Sequence, residues 1–310
     1  MYLFKLMRRA LASTEGRFSN SVSPGNCSDI LVFKLVFQIY KDCAIKGQRL
    51  PLKNMIKVTF LGTGTSQGIP VIGSTHPVCL SSDPKDKRLR VSILVQWEDI
   101  NLVVDCGPDF RQQMLRENLQ HLDGIMFTHE HADHSAGMDD IRPFFFRQGA
   151  IPMYGSQRVM DNFTQRFNYI FSNENKYPGA PSVDIHRISS KHSFDFKGKK
   201  ITPVEVLHDQ LPVLGYRIDD FCYLTDVKTV SDQEQEKLKG LDILVLNCLR
   251  KEVHSSHLNL EEALHLIEKL KPKRSYLTHI SHLMGFHEEV STELPPNVFL
   301  AYDTLSLSST

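Results

Sequence analysis

The chain has 310 residues, with 36 basic against 36 acidic side chains and a formal net charge of zero. That length holds one large domain or two small ones, and a 41% hydrophobic content suffices for a full core. Balanced charge excludes the broad basic footprint of sequence-independent nucleic-acid binding, leaving room only for a local basic groove, and no apolar run reaches the roughly 18 residues of a membrane span.

Residues 1–54 read as an N-terminal extension, polar and Ser-rich with early basic residues. They lack the apolar stretch and cleavage site of a secretory signal and only weakly mimic a mitochondrial transit peptide. Met55, followed at once by a strand and a glycine turn, offers a second start, so 55–310 is taken as the folded domain. Within it IKVTFLG, VSILVQW and INLVVDCG are short β-branched runs that predict strands. PDFRQQMLRENL has helical spacing after an early Pro. DGIMFT predicts a buried strand, SQRVMDNFTQRFNYIF an amphipathic helix, and SNENKYPGAPSVD a surface loop. Strands over ITPVEVLH, LGYRID and FCYLTD follow, then a helix over SDQEQEKLKG, a strand over DILVLNCL, a helix over LNLEEALHLIEKLK and a strand over RSYLTHI. Two sheets covered by outer helices satisfy this order.

The six cysteines form no CxxC pair, and several lie in apolar runs, as expected of buried free thiols in a reducing compartment. The histidines cluster instead: eight of fourteen fall at 129/131/134, 254/257 and 279/282/287. The densest patch, THEHADH over 128–134, directly follows the strand GIMFT. In extended backbone His129 and His131 point to one side. As the chain turns into a helix, Asp133 and His134 can address a second, adjacent position. One short segment thus offers donors to two ions.

HxHxDH at a strand end resembles the signature of the metallo-β-lactamase superfamily. The resemblance covers about 57–303 and extends to FLGTGTSQG and to VDCG at 104–107. It implies an α/β fold, an αββα sandwich of two mixed β-sheets with helices on the outer faces. It also implies two divalent metal ions, one held by His129, His131 and His208, the other by Asp133, His134 and His279, with Asp226 between them. His208, Asp226 and His279 each end a predicted strand. Imidazole and carboxylate donors without thiolate suit Zn²⁺, Mn²⁺ or Fe.

Within the superfamily, FLGTGTSQGIPVIG, THEHADHSAGMDDIRPF, HSSHLNLEEAL and LTHISH resemble the phosphoribosyl cyclic phosphate phosphodiesterases of phosphonate breakdown. Those relatives carry a structural zinc site of CxCxxC pattern completed by a histidine. Here the matching positions are Ser74, His76, Cys79 and His282, a degenerate set in which one cysteine is lost and another replaced by histidine. The resemblance implies a hydrolase that attacks a small cyclic phosphate ester with a metal-bridging hydroxide. It makes His257 the proton donor to the leaving oxygen, with His254 as rival, and Asp133 a catalytic ligand. Arg142 is a candidate phosphate contact, against an ion pair with Asp139 or Asp140. The expected partner is a small phosphate ester, with neither membrane nor nucleic acid, in the cytoplasm; a homodimer is left open. A tRNA 3′-processing endonuclease, a thioester or lactone hydrolase, and a scaffold that lost its chemistry are the alternatives. The first lacks a basic RNA-gripping insertion here, and filled ligand positions speak against the last.

Overall fold

The computed structural model describes residues 55–172 and 176–309. The extension over 1–54, with Cys27 and Cys43, lies outside the described residues. The apolar runs of the sequence pair into strands β1 (Lys57–Gly62), β2 (Ser92–Trp97), β3 (Ile100–Val104), β4 (Gly124–Met126), β5 (Ile151–Gly155), β6 (Val183–Arg187) and β7 (Phe194–Phe196). Then come β8 (Lys199–His208), β9 (Leu211–Ile218), β10 (Phe221–Leu224), β11 (Ile243–Asn247), β12 (Arg274–Thr278), β13 (Val298–Leu300) and β14 (Ser306–Ser308). They form two seven-stranded sheets, ordered β14-β1-β2-β3-β4-β5-β6 and β13-β12-β11-β10-β9-β8-β7. Each is mixed. The hairpins β1–β2–β3 and β7–β8–β9–β10 are antiparallel, whereas β3 through β6 and β10 through β13 run parallel.

Strand side chains alternate between two cores, which explains the unbroken apolar runs. Ile93 and Val95 enter a core between the sheets, together with Ile243 and Val245. Leu94 faces outward onto Phe110, Phe144 and Phe163 of helices Phe110–Arg116, Arg142–Gln148 and Gln157–Arg166. Leu244 and Leu246 face the other way, onto Ile267 and Leu270 of helix Leu260–Leu270 and Val290 of helix His287–Glu293. The layers are therefore helix, sheet, sheet, helix. No helix among the described residues is long and apolar enough to cross a membrane. The four described cysteines, Cys79, Cys106, Cys222 and Cys248, are free and buried.

Some local expectations are revised. The predicted helix over 156–171 breaks at Phe167, whose ψ of 41° leaves the helical region, giving helices Gln157–Arg166 and Asn168–Phe171. The helix predicted over 231–240 is regular only through Asp232–Glu236. Short strands β5, β6, β7, β13 and β14 and the helix Arg142–Gln148 add to the predicted set.

Candidate metal centre

The parallel halves of both sheets bring strand C-termini to one edge, where loops rather than ladders present side chains. His129 and His131 follow β4, and Asp133 and His134 lie in a four-residue helix, Ala132–Ser135. His208 ends β8, Asp226 follows β10, and His279 directly follows β12. Asp105, Asp226 and His279 take left-handed backbone, with φ of 65°, 55° and 56°. For residues with a Cβ, such conformations are costly and gather at functional sites. Gly107 is required next to them: a Cβ there would stand 2.1 Å from the Asp133 carbonyl oxygen.

Hydrogen bonds fix which histidine nitrogen faces inward. His134 Nδ1 donates to Asp105 Oδ2 at 2.7 Å. Thr128 Oγ1 donates to the same carboxylate at 2.9 Å and so accepts from His129 Nδ1 at 3.0 Å. His208 Nδ1 donates to the Ser256 carbonyl at 2.8 Å. Each of these rings is thereby left with an Nε2 lone pair, the tautomer that a metal ligand needs; these tautomers are assigned from the partners.

The inward atoms stand at ligand spacing. His134 Nε2 is 3.2 Å from both Asp133 Oδ2 and Asp226 Oδ2, and His279 Nε2 is 3.4 Å from Asp226 Oδ1 and 3.8 Å from Asp133 Oδ2. Donors bonded at roughly 2.0–2.2 Å to one tetrahedral ion lie about 3.3–3.6 Å apart. The His279 separations exceed ordinary hydrogen-bond length and the His134 separations stand at its upper limit, and neither His134 Nε2 nor His279 Nε2 has a hydrogen-bond partner although both are buried. The 3.2 Å and 3.4 Å separations lie near that edge, whereas His129 Nε2 and His131 Nδ1, 2.9 Å apart, are at hydrogen-bond distance. Three sets of donors converge: His129, His134 and Asp226; Asp133, His134 and His279; His208, Asp226 and His257.

Electrostatics point the same way. Burial opposes charge on His134, yet Asp133, Asp226 and Asp105 together hold its pKa well above the usual histidine value. Burial likewise opposes ionisation of Asp133 and Asp226, but the surrounding histidines keep both carboxyls below their ordinary range. Burial pushes His129 far down. The pocket is thus built around carboxylates that demand positive charge, answered as a proton only at His134, while burial keeps His129 and His131 from supplying more. A divalent cation answers that demand, so the residues present fit the expected ions.

His257 joins the cluster. Its ring is 4.8 Å from that of His279 and 4.4 Å from that of His208, while His254 stands further out, 5.2 Å from His257. Burial, and then His279, push His257 down to about 3. Arg142 takes the plainer alternative: its Nη2 lies 2.5 Å from Asp139 Oδ1 and 3.0 Å from Tyr177 Oη. At the degenerate site the His76 and His282 rings meet edge to face at 4.9 Å, and the Val78 amide donates to His76 Nδ1 at 3.3 Å. His76, Cys79 and His282 are not among the converging donor sets found among the described residues.

Sequence reasoning missed the residues that brace the ligands. Asp105 lies in the VDCG run; a buried acid ending an apolar strand is the signal. Arg158 pairs with Glu130 at 2.5 Å, between the two first histidines, and Arg166 donates to the Glu130 carbonyl at 2.6 Å. Nothing in the spacing of a surface helix announces that contact.

Comparison with known proteins places this arrangement. Residues 100–280, more than half the chain, match a family described as the β-lactamase superfamily domain. The structure is similar to that of a new diphosphatase from the PhnP family, with 40% identity and a TM-score of 0.77, covering 82% of this chain and 97% of that one. The sequence is 36% identical over 252 residues to an octanoyltransferase of Porphyromonas gingivalis, covering 81% of this chain and 51% of that protein. It is 25% identical over 171 residues to a ribonuclease Z of Metallosphaera sedula, covering 54% and 49%. The chain spans about half the length of these two curated relatives. Its sandwich, its HxHxDH strand end and the family match together make the chain a member of the metallo-β-lactamase superfamily.

Proposed function

We propose that the chain is a dinuclear metal-dependent hydrolase acting as a phosphodiesterase on a small phosphate ester, cyclic ribose phosphates included. The observation that carries this reading is the convergence of the inward atoms of Asp133, His134, Asp226 and His279 at ligand spacing, with His134 Nε2 and His279 Nε2 buried and without hydrogen-bond partners. Likeness to a diphosphatase across 97% of its chain supports phosphorus chemistry.

His129, His131 and His208 would hold one ion, Asp133, His134 and His279 the other, and Asp226 would face both. Zn²⁺, Mn²⁺ or Fe bound there supplies an activated water near neutral pH and positive charge beside the phosphate oxygens. The protein's own part is orientation and proton supply. Asp105 and Thr128 hold the rings of His134 and His129 in the required tautomer. Hydrolysis breaks a P–O bond, joins the oxygen of water to phosphorus and needs a proton on the departing oxygen. His257, beside Asp226, would take up the proton that the attacking water loses and give it to that oxygen. Its ring is neutral at rest, and the negative charge of a bound phosphate raises its proton affinity.

A second reading, hydrolysis of a thioester, draws on the octanoyltransferase relative. A ribonuclease Z-like activity draws on weaker likeness, and the chain's net charge of zero speaks against it. Free buried cysteines suit work in the cytoplasm. A turnover panel in Mn²⁺ or Zn²⁺ decides among the readings: bis-para-nitrophenyl phosphate, ribose cyclic phosphates, acyl thioesters and a precursor tRNA. Turnover of the thioester or the tRNA well above that of the phosphate esters would overturn the proposal.

A further inference from the structure

We infer that His257 is an eighth donor of the metal centre, capping the ion position defined by His208 and Asp226. This rests on reading the cluster as a metal centre and not on the choice of substrate. Donor atoms of His208, Asp226 and His257 all lie within 4.8 Å of one another. His257 Nδ1 is 3.8 Å from Asp226 Oδ1, beyond a hydrogen bond and close to the edge between two ligands of one ion. The residue is 8% exposed, and Nδ1 is fully buried without a hydrogen-bond partner. An inward-facing, unpartnered nitrogen beside a carboxylate is what a ligand looks like before its ion arrives.

The ring is held there by its backbone. The Leu258 amide donates to the Val227 carbonyl, the Leu249 amide donates to the Leu258 carbonyl, and Lys228 Nζ reaches the His257 carbonyl at 3.5 Å. Asn259 then closes the turn as the capping box of helix Leu260–Leu270. His254, by contrast, turns its Nδ1 to the Ser256 amide at 3.3 Å and belongs to none of the donor sets.

Of the three donors, His257 is the one free to yield. His208 is braced through its outer Nδ1 by the Ser256 carbonyl and Asp226 through Oδ2 by Thr225 Oγ1 at 2.7 Å, whereas no side-chain hydrogen bond braces the His257 ring among the described residues. His257 would therefore be the donor that yields to a phosphate oxygen of an incoming ester.

The test is a titration of the metal-free full chain with Zn²⁺ alone, in competition with a chromophoric chelator. It compares wild type with His257→Phe, His257→Gln and His254→Ala. Loss of a direct donor should cost at least what loss of an outer-shell partner does, about 10–100-fold in affinity. We expect that loss in one of two binding steps for both position-257 variants, with the other step unchanged and His254→Ala like wild type. In Co²⁺-loaded protein, inorganic phosphate should alter the visible spectrum of wild type more than that of His257→Gln. Unchanged Zn²⁺ affinity in whichever position-257 variant retains wild-type circular dichroism overturns the inference while leaving the metal centre intact. A wild type that binds no Zn²⁺ overturns the metal-centre reading, and the inference with it.

Discussion

Asp105 Oδ2 accepts a hydrogen bond from His134 Nδ1 at 2.7 Å, with both side chains wholly buried. The same carboxylate takes the Thr128 amide at 2.8 Å and the Thr128 hydroxyl at 2.9 Å. Three donors thus converge on two oxygens, and through them β3 sets the orientation of two candidate ligands on the loop after β4. An amide in that place has one oxygen and turns an NH₂ toward donors. Asp105→Asn should therefore fold, since Asn tolerates the left-handed backbone, yet bind metal about 10–100-fold more weakly. Chelator competition measures this, and wild-type affinity in the variant would show that Asp105 does not orient His134.

Gly107 gives a steric counterpart. A Cβ there would meet the Asp133 carbonyl oxygen at 2.1 Å, a backbone atom that cannot swing away. Gly107→Ala must push the loop 128–134 off its seat. We expect a lower Tm together with loss of metal affinity, seen by calorimetry and by metal analysis. A variant with wild-type Tm and metal content would mean that the loop shifts without cost.

The legible part of this fold is what one strand or one motif encodes. The runs from IKVTFLG to RSYLTHI became strands because their β-branched residues face two cores at once, a property of each segment alone. The grouping of His208, Asp226 and His279 with the HxHxDH segment was reached through resemblance and strand-end position, and the structure brings them together. Less was legible where partners decide. Strands β13 and β14 are three residues each and exist because β12 and β1 offer edges. Helix Gln157–Arg166 stops at Phe167 although the apolar spacing continues, since the ring turns inward to pack beside Phe163 at 6.0 Å. The commitment of Arg142 to Asp139 and Tyr177 depends on a tyrosine 35 positions away, which no local pattern reveals.

Away from the metal centre, His287 should give the fold an acid-sensitive step. Its Nδ1 lies 3.1 Å from Arg88 Nη2, its amide donates to Asp86 Oδ1 at 2.8 Å, and Tyr302 meets its ring edge at 5.6 Å. Burial, then the charges of Arg88 and Lys85, push His287 down to about 4, with Asp83 and Asp86 opposing. An unfolded histidine titrates near 6.5. Between about 4 and 6.5 the unfolded chain therefore binds more protons, so this contribution to stability is whole above that window and falls as pH drops through it. His287→Gln should flatten the slope of stability against pH in that interval, read as the difference between two denaturant series. Parallel curves would exclude His287 as the titrating group.

Two divalent ions per chain are expected at saturation, and their removal should lower thermal stability. A ligand that binds only the folded state stabilises it by about 4 kcal/mol at a thousandfold excess over its Kd. The carboxylates of Asp133 and Asp226 would also lose their counter-charge. Dialysis against a chelator should lower Tm, and restored Zn²⁺ or Mn²⁺ should recover it. Asp226→Ala should bind less metal and lose most of that recovery. Equal Tm with and without chelator, at a measured stoichiometry of zero, would remove the basis for the ligand assignment.

The role of His257 in proton supply predicts a dependence on the leaving group. A positioned acid contributes about 10²–10⁴-fold to rate, but only where the departing oxygen needs a proton. An alkyl or sugar alkoxide is a poor leaving group and needs one. Para-nitrophenolate departs well unprotonated. At metal concentrations that saturate every variant, His257→Gln should lose most of its activity on a cyclic ribose phosphate and much less on bis-para-nitrophenyl phosphate. Saturation matters because His257 is also inferred to contribute to ion binding, and a loss of metal would slow both substrates alike. Equal slowing on the two esters at full occupancy would assign His257 to the ions or to substrate positioning alone. If His254→Ala shows the leaving-group dependence instead, the proton comes from the outer histidine, whose ring stands 5.2 Å from that of His257.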